Sequence, residues 1–118
     1  MSRSPETVWR TALADGRLLL QRARTSGAII FPPRLMEPGS GDEDLEWVEA
    51  SGLGTVHSVT IIHPKPPAEP YNVVLVDLDE GARLMSRVVG DGEVTIGLRI
   101  RARIDRVGDE PVLLFEPA

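Results

Sequence analysis

Arg99, Arg101 and Arg103 alternate along one segment, with Asp105 next in the same phase. Alternate residues of a strand share a face and stand roughly 7 Å apart, and a planar guanidinium grips phosphate oxygens through two parallel hydrogen bonds. The stripe is read as a contact for phosphate or for a partner. Its plain alternative is a solvated face whose arginines pair with carboxylates on neighbouring strands, Asp77 and Asp79 first among them. His57 and His63 lie six apart along a predicted strand and so on one face. Neither has an acidic neighbour at metal-site spacing, and both are read as structural or surface histidines. Asp77, Asp79 and Glu80 offer the kind of oxygens that magnesium needs, but beside Gly81 they read as a solvated turn. Ser40 sits in Gly-Ser-Gly without the strand-turn-helix or the His–Asp relay of a nucleophile. The chain has no cysteine, which excludes disulfides, thiolate metal ligands and a thiol nucleophile. These residue types point to binding; no catalytic residue and no metal site is assigned.

The elements that must position them follow from period and turn chemistry. Ser4-Pro5-Glu6 opens a helix with Ser4 as N-cap, and Val8, Trp9, Ala12 and Leu13 fall on one face before Asp15-Gly16 ends it. Strands are predicted over 17–23, whose period also fits a continued helix, and over 28–31, joined at Thr25-Ser26-Gly27, and over 45–49; the acidic, Gly-rich run 37–44 is a loop. After Gly52 five β segments follow, over 55–63, 71–78, 82–89, 98–107 and 112–115. The loop 64–70 holds four prolines and reads as stiff and polyproline-like, with Lys65, the only lysine, in solvent. Within 98–107, Leu98, Ile100, Ala102 and Ile104 face one way and the arginines the other. Five short strands with one wet face each suggest a closed OB-type barrel, which removes exposed edges.

Composition bounds the class. A chain of 118 residues makes one compact unit or two very small ones. Hydrophobic residues at 42% and charged residues at 26% are ordinary for a soluble domain. A net charge of -5 and a pI near 5.0 weigh against nucleic acid as a partner. So do the two Trp, two Phe and one Tyr, too few rings for a base-stacking surface. Met1 to Glu6 carries no apolar core of signal type, and no apolar run approaches the roughly 20 residues of a membrane span, so a cytoplasmic location is expected.

Several phrases carry a resemblance: Gly-Arg-Leu-Leu-Leu-Gln-Arg at 16–22, Phe-Pro-Pro-Arg at 31–34, Asp-Leu-Glu-Trp at 44–47, Ser-Gly-Leu-Gly-Thr-Val at 51–56, Pro-Tyr at 70–71 and Leu-Asp-Glu-Gly-Ala-Arg-Leu at 78–84. In this order and spacing the chain resembles the bacterial and archaeal family that joins a rubredoxin-like zinc ribbon to an OB-fold, long catalogued as a domain of unknown function. The resemblance spans almost the whole chain. It implies a mainly β fold with an N-terminal helix and degenerate rubredoxin-like ribbon over 1–50 and a five-stranded OB-type barrel over 51–118. It implies a non-catalytic accessory subunit that stabilises or completes a thiolase, a thiolase-like aldolase or a hot-dog-fold enoyl-CoA hydratase. Under that reading Arg99, Arg101 and Arg103 meet the phosphates of CoA, and Ile29, Phe31, Leu35, Lys65, Pro66 and Pro67 meet the partner. No cofactor is bound stably, a CoA thioester is met through the complex, and no membrane is involved. The alternative is an OB-fold module for single-stranded nucleic acid.

The chain departs from the family in one respect. The ribbon of that family carries two Cys-x-x-Cys pairs, each near a glycine. The matching positions here are Ala23 and Ser26 before Gly27, and Glu37 and Ser40 before Gly41. A structural zinc takes four thiolate or imidazole donors, so no zinc is expected. Ile29, Ile30, Phe31, Leu35 and Trp47 are the apolar residues available to hold the two turns instead.

Overall fold

The computed structural model describes residues 4–118; within the reading of the N-terminus, Met1 to Arg3 lie outside the described residues. Helix α1 spans Pro5–Ala14 and starts as expected: the Ser4 hydroxyl accepts a hydrogen bond from the Thr7 N–H at 3.2 Å. Ala12 and Leu13 are its buried residues, and Trp9 packs beside them. Three strands follow, β1 (Leu19–Ala23), β2 (Ile29–Ile30) and β3 (Leu45–Glu49), in a small antiparallel sheet ordered β2-β1-β3. Strand β1 is buried on both faces, with only Arg22 exposed, which is why Leu19, Leu20 and Gln21 show no in–out alternation.

The second sheet holds β4 (Leu53–Ile62), β5 (Tyr71–Leu78), β6 (Arg83–Ser86), β7 (Arg99–Val107) and β8 (Glu110–Pro117), ordered β6-β5-β4-β7-β8 and antiparallel throughout. It curls until its two ends meet: Val88 forms a parallel bridge with Phe115, with Phe115 N–H donating to the Arg87 carbonyl and Val89 N–H donating to the Phe115 carbonyl. This is the OB-fold arrangement. Phe115, Ile100, Val56, Val74 and Val76 fill its centre and are almost fully buried. Leu13, Leu18 and Leu20 belong to the same core, so packing is continuous across the boundary at residues 50 and 51. Strands β4 and β5 approach so closely at Gly54 that a Cβ there would sit 2.8 Å from the Asp77 carbonyl oxygen; only glycine fits this corner.

Four expectations need correction. The segment 82–89 is a strand only to Ser86, because the Asn72 side chain takes over the main chain of Val88. Its Nδ2 donates to the Val88 carbonyl and its Oδ1 accepts from the Val88 N–H, both at 2.8 Å. Strand β8 is longer than 112–115 and includes Pro111 and Pro117. Their nitrogens share the parity of Phe115, whose N–H points away from β7, so the β7–β8 ladder loses nothing. The loop 64–70 is a turn closed by Ala68 N–H on the Lys65 carbonyl rather than an extended polyproline stretch. Finally, a bulge between Val56 and Ser58 leaves His57 without a partner on β5 and shifts the inward phase from Val56 to Val59. His57 and His63 therefore do not share a face by strand period.

Candidate functional site

The arginine stripe is where the alternation of β7 predicts it. Ile100 is fully buried, while Arg99, Arg101 and Arg103 are exposed on the outer face. Each already holds a carboxylate. Arg99 grips Asp79 bidentately at 2.7 and 2.9 Å and touches the Thr55 hydroxyl at 3.0 Å. Arg101 reaches Glu116 of the neighbouring β8 at 2.9 Å. Arg103 reaches Asp105 at 2.9 Å, with Glu116 at 3.9 Å. The hydrogen bond from Arg99 holds the Asp79 carboxyl below the ordinary aspartate range, and the bond to Asp105 raises Arg103. Asp77 pairs elsewhere: Arg83 lies 2.7 Å away and His57 3.3 Å away. His57 thus has the acidic neighbour that sequence spacing did not show. Among the described residues, no group of three or more His, Cys, Asp or Glu side chains could hold a metal ion.

The expected partner residues divide between two ends of the molecule. Ile29 and Phe31 are half-buried; both pack against the core, and Phe31 sets its ring edge-on to Trp9 at 5.8 Å. Leu35 is 73% exposed, and its neighbour Met36 is exposed as well. They border a cavity of about 730 Å³ between Ser4-Pro5-Glu6 at the start of α1 and the loop running from Pro33 to Gly41. Lys65, Pro66 and Pro67 are exposed at the far end of the β4–β5 hairpin. Ten residues of β4 separate them from the small sheet, roughly 30 Å of strand.

The loop beside that cavity is positioned by polar latches that sequence reasoning missed. Gln21, 4% exposed, donates to the Arg34 carbonyl at 2.8 Å and accepts from the Arg34 N–H at 2.7 Å. Glu37 accepts hydrogen bonds from the hydroxyls of Ser26 and Ser40, which hold its carboxyl below the ordinary range. Three of the four positions matched to zinc ligands therefore do converge, and the repeated x-x-Ser-Gly spacing was the available clue. As a donor set they do not fit structural zinc: Ala23 has no donor atom, and both serine protons are committed to Glu37. The apolar residues named as a substitute act differently, since Ile30 is buried in the core and Leu35 faces solvent.

A family model described as ChsH2, C-terminal OB-fold domain, matches residues 47–105, half of the chain. A DUF35 domain-containing scaffold protein of Methanothermobacter thermautotrophicus is 31% identical in a match that covers 93% of this chain and 81% of that protein. The chain belongs to the DUF35 OB-fold family. It is also similar, at 35% identity, to a probable enoyl-CoA hydratase alpha subunit of Thermomonospora curvata. That match covers 93% of this chain but 36% of the relative, so the chain spans about a third of that protein's length. In three dimensions it resembles a chain of the Ltp2-ChsH2(DUF35) aldolase with a TM-score of 0.83 and 31% identity, over 99% of this chain and 96% of that one. Family membership agrees with the resemblance read from residues 16–84 and with the OB-type fold expected from the strand pattern.

Proposed function

We propose that the chain is a non-catalytic accessory subunit that stabilises or completes a thiolase-like or hot-dog-fold enzyme acting on acyl-CoA, in the cytoplasm. The observation that carries this reading is the end-to-end likeness to a chain of the Ltp2-ChsH2(DUF35) aldolase, supported by the similarity to a probable enoyl-CoA hydratase alpha subunit. The exposed Leu35 and Met36 beside the cavity at residues 33–41 are the part of the surface best suited to a protein partner. The nucleic-acid alternative fits less well. Tyr71 is the one exposed ring on the barrel, it is covered by Arg87 at 4.9 Å, and Phe115 is fully buried. The arginine stripe is neutralised by its own carboxylates, whereas strand binding needs free cations and open rings. We assign the stripe to this ion-paired outer face, so a CoA phosphate reaching it must displace a carboxylate.

Affinity capture of the tagged chain from its native lysate tests the reading. Recovery of an acyl-CoA enzyme in fixed stoichiometry, with turnover in the eluate, supports it. Recovery of RNA or DNA in place of an enzyme overturns it.

A further inference from the structure

Two turns of the small sheet are built alike. In the first, Gly27 (φ +77°) donates its N–H to the Ala23 carbonyl at 2.7 Å, and the Ser26 hydroxyl accepts from the Ala28 N–H at 3.2 Å. In the second, Gly41 (φ +74°) donates to the Glu37 carbonyl at 2.9 Å, and the Ser40 hydroxyl accepts from the Asp42 N–H at 3.2 Å. Both glycines occupy the left-handed region that other residues avoid. The Glu37 side chain joins the tips of the two turns: Oε2 accepts from Ser26 at 2.6 Å and Oε1 accepts from Ser40 at 2.5 Å. Each serine thus uses a lone pair on its own turn and its only proton on the carboxylate, so the set is internally satisfied.

We propose that Glu37 is the cross-link of the small sheet. Its carboxylate, held by Ser26 and Ser40, fastens the two turns to each other where a chain with four thiolates at 23, 26, 37 and 40 would use a metal ion. The small sheet of this chain is then complete without a divalent cation, and its order depends on Glu37. The competing account assigns the holding to the Gln21–Arg34 latch, to Arg24, which binds Asp44 through its side chain at 2.7 Å and its N–H at 3.0 Å, and to apolar packing around Ile30; it makes the Glu37 contact incidental.

Hydrogen exchange of the full chain at neutral pH separates the two accounts. Glu37→Ala leaves both backbone bonds of Gly27 and Gly41 in place, so those amides report the cross-link alone. Their exchange should quicken by about tenfold, the scale of one net hydrogen bond, while Val74 and Val76 in the barrel stay unchanged as the internal reference. Chelator or added zinc should leave the wild-type pattern as it is. Unchanged exchange at Gly27 and Gly41 in the variant, or wild-type protection lost to chelator, overturns the proposal. A second variant tests the geometry directly. Ser26→Cys, Glu37→Cys and Ser40→Cys together should bind one cobalt(II) per chain with thiolate charge-transfer absorption and regain the protection lost in Glu37→Ala. A folded triple variant that binds no cobalt overturns the claim that these three positions face one another.

Discussion

Gln21 and Arg34 are joined by two hydrogen bonds, side-chain amide to main chain, of 2.8 and 2.7 Å. Gln21 is buried on β1, so this pair anchors the exposed loop of Leu35 and Met36 to the central strand of the small sheet. Gln21→Ala strands the Arg34 N–H and carbonyl, and unsatisfied polar groups cost about 1–3 kcal/mol each. We expect a lower unfolding midpoint and weaker partner capture in pull-down. A variant with a lower midpoint but unaltered capture separates the loop from the interface.

Gly54 predicts a different kind of loss. Gly54→Val places a Cβ 2.8 Å from the Asp77 carbonyl oxygen and 3.0 Å from Val76 Cγ1. Backbone does not yield as a flexible side chain does, so we expect about 1–3 kcal/mol of destabilisation. Urea denaturation should show a lower midpoint with an unchanged slope.

Acid should act on the outer face of the barrel. Arg83 holds Asp77, and Arg99 holds Asp79, below the ordinary aspartate value of 3.8. A carboxylate depressed in the folded state adds stability above its unfolded value and loses it as pH falls through the folded one. Thermal midpoints should therefore be flat from about pH 7 to 5 and fall below about pH 4, by less in high salt because these pairs are exposed. In Asp79→Asn the acid-side fall should shrink; an identical pH profile would remove the pair from the account.

The stripe gives a prediction about substrate. Arg101 is paired with Glu116 on an exposed face, and such pairs are worth about 0–1 kcal/mol. Arg101→Ala should change stability by no more than that. In the complex it should leave KM unchanged for both the full acyl-CoA and the pantetheine thioester that lacks the nucleotide. A KM that rises for the full substrate alone would return the stripe to CoA recognition.

Much of this was legible in the sequence. The Ser4 cap, the strands at 45–49 and 71–78 and the in–out phase of β7 follow from local pattern, because period and turn chemistry act over a few residues. What escaped depends on contacts distant in sequence. Asn72 ends β6 by binding Val88, and the bulge at His57 costs no residue type that would mark it. The carboxylates of the stripe come from Asp79 just past β5 and Glu116 on β8 as well as from Asp105 beside it; the sequence pattern points to Asp79, while Asp77, expected beside the stripe, pairs with Arg83 instead. The serines at 26 and 40 looked like lost ligands, yet their meaning lay in Glu37 between them.

Turnover by the separated components tests the central claim most directly. The partner enzyme recovered with this chain should be assayed on its acyl-CoA in three samples: partner alone, chain alone and complex. The account predicts no turnover from the chain, full turnover from the complex, and reduced turnover or loss of soluble enzyme when the chain is withheld. Turnover by the chain alone that a single polar substitution abolishes, or a partner equally stable and active without it, would contradict the account.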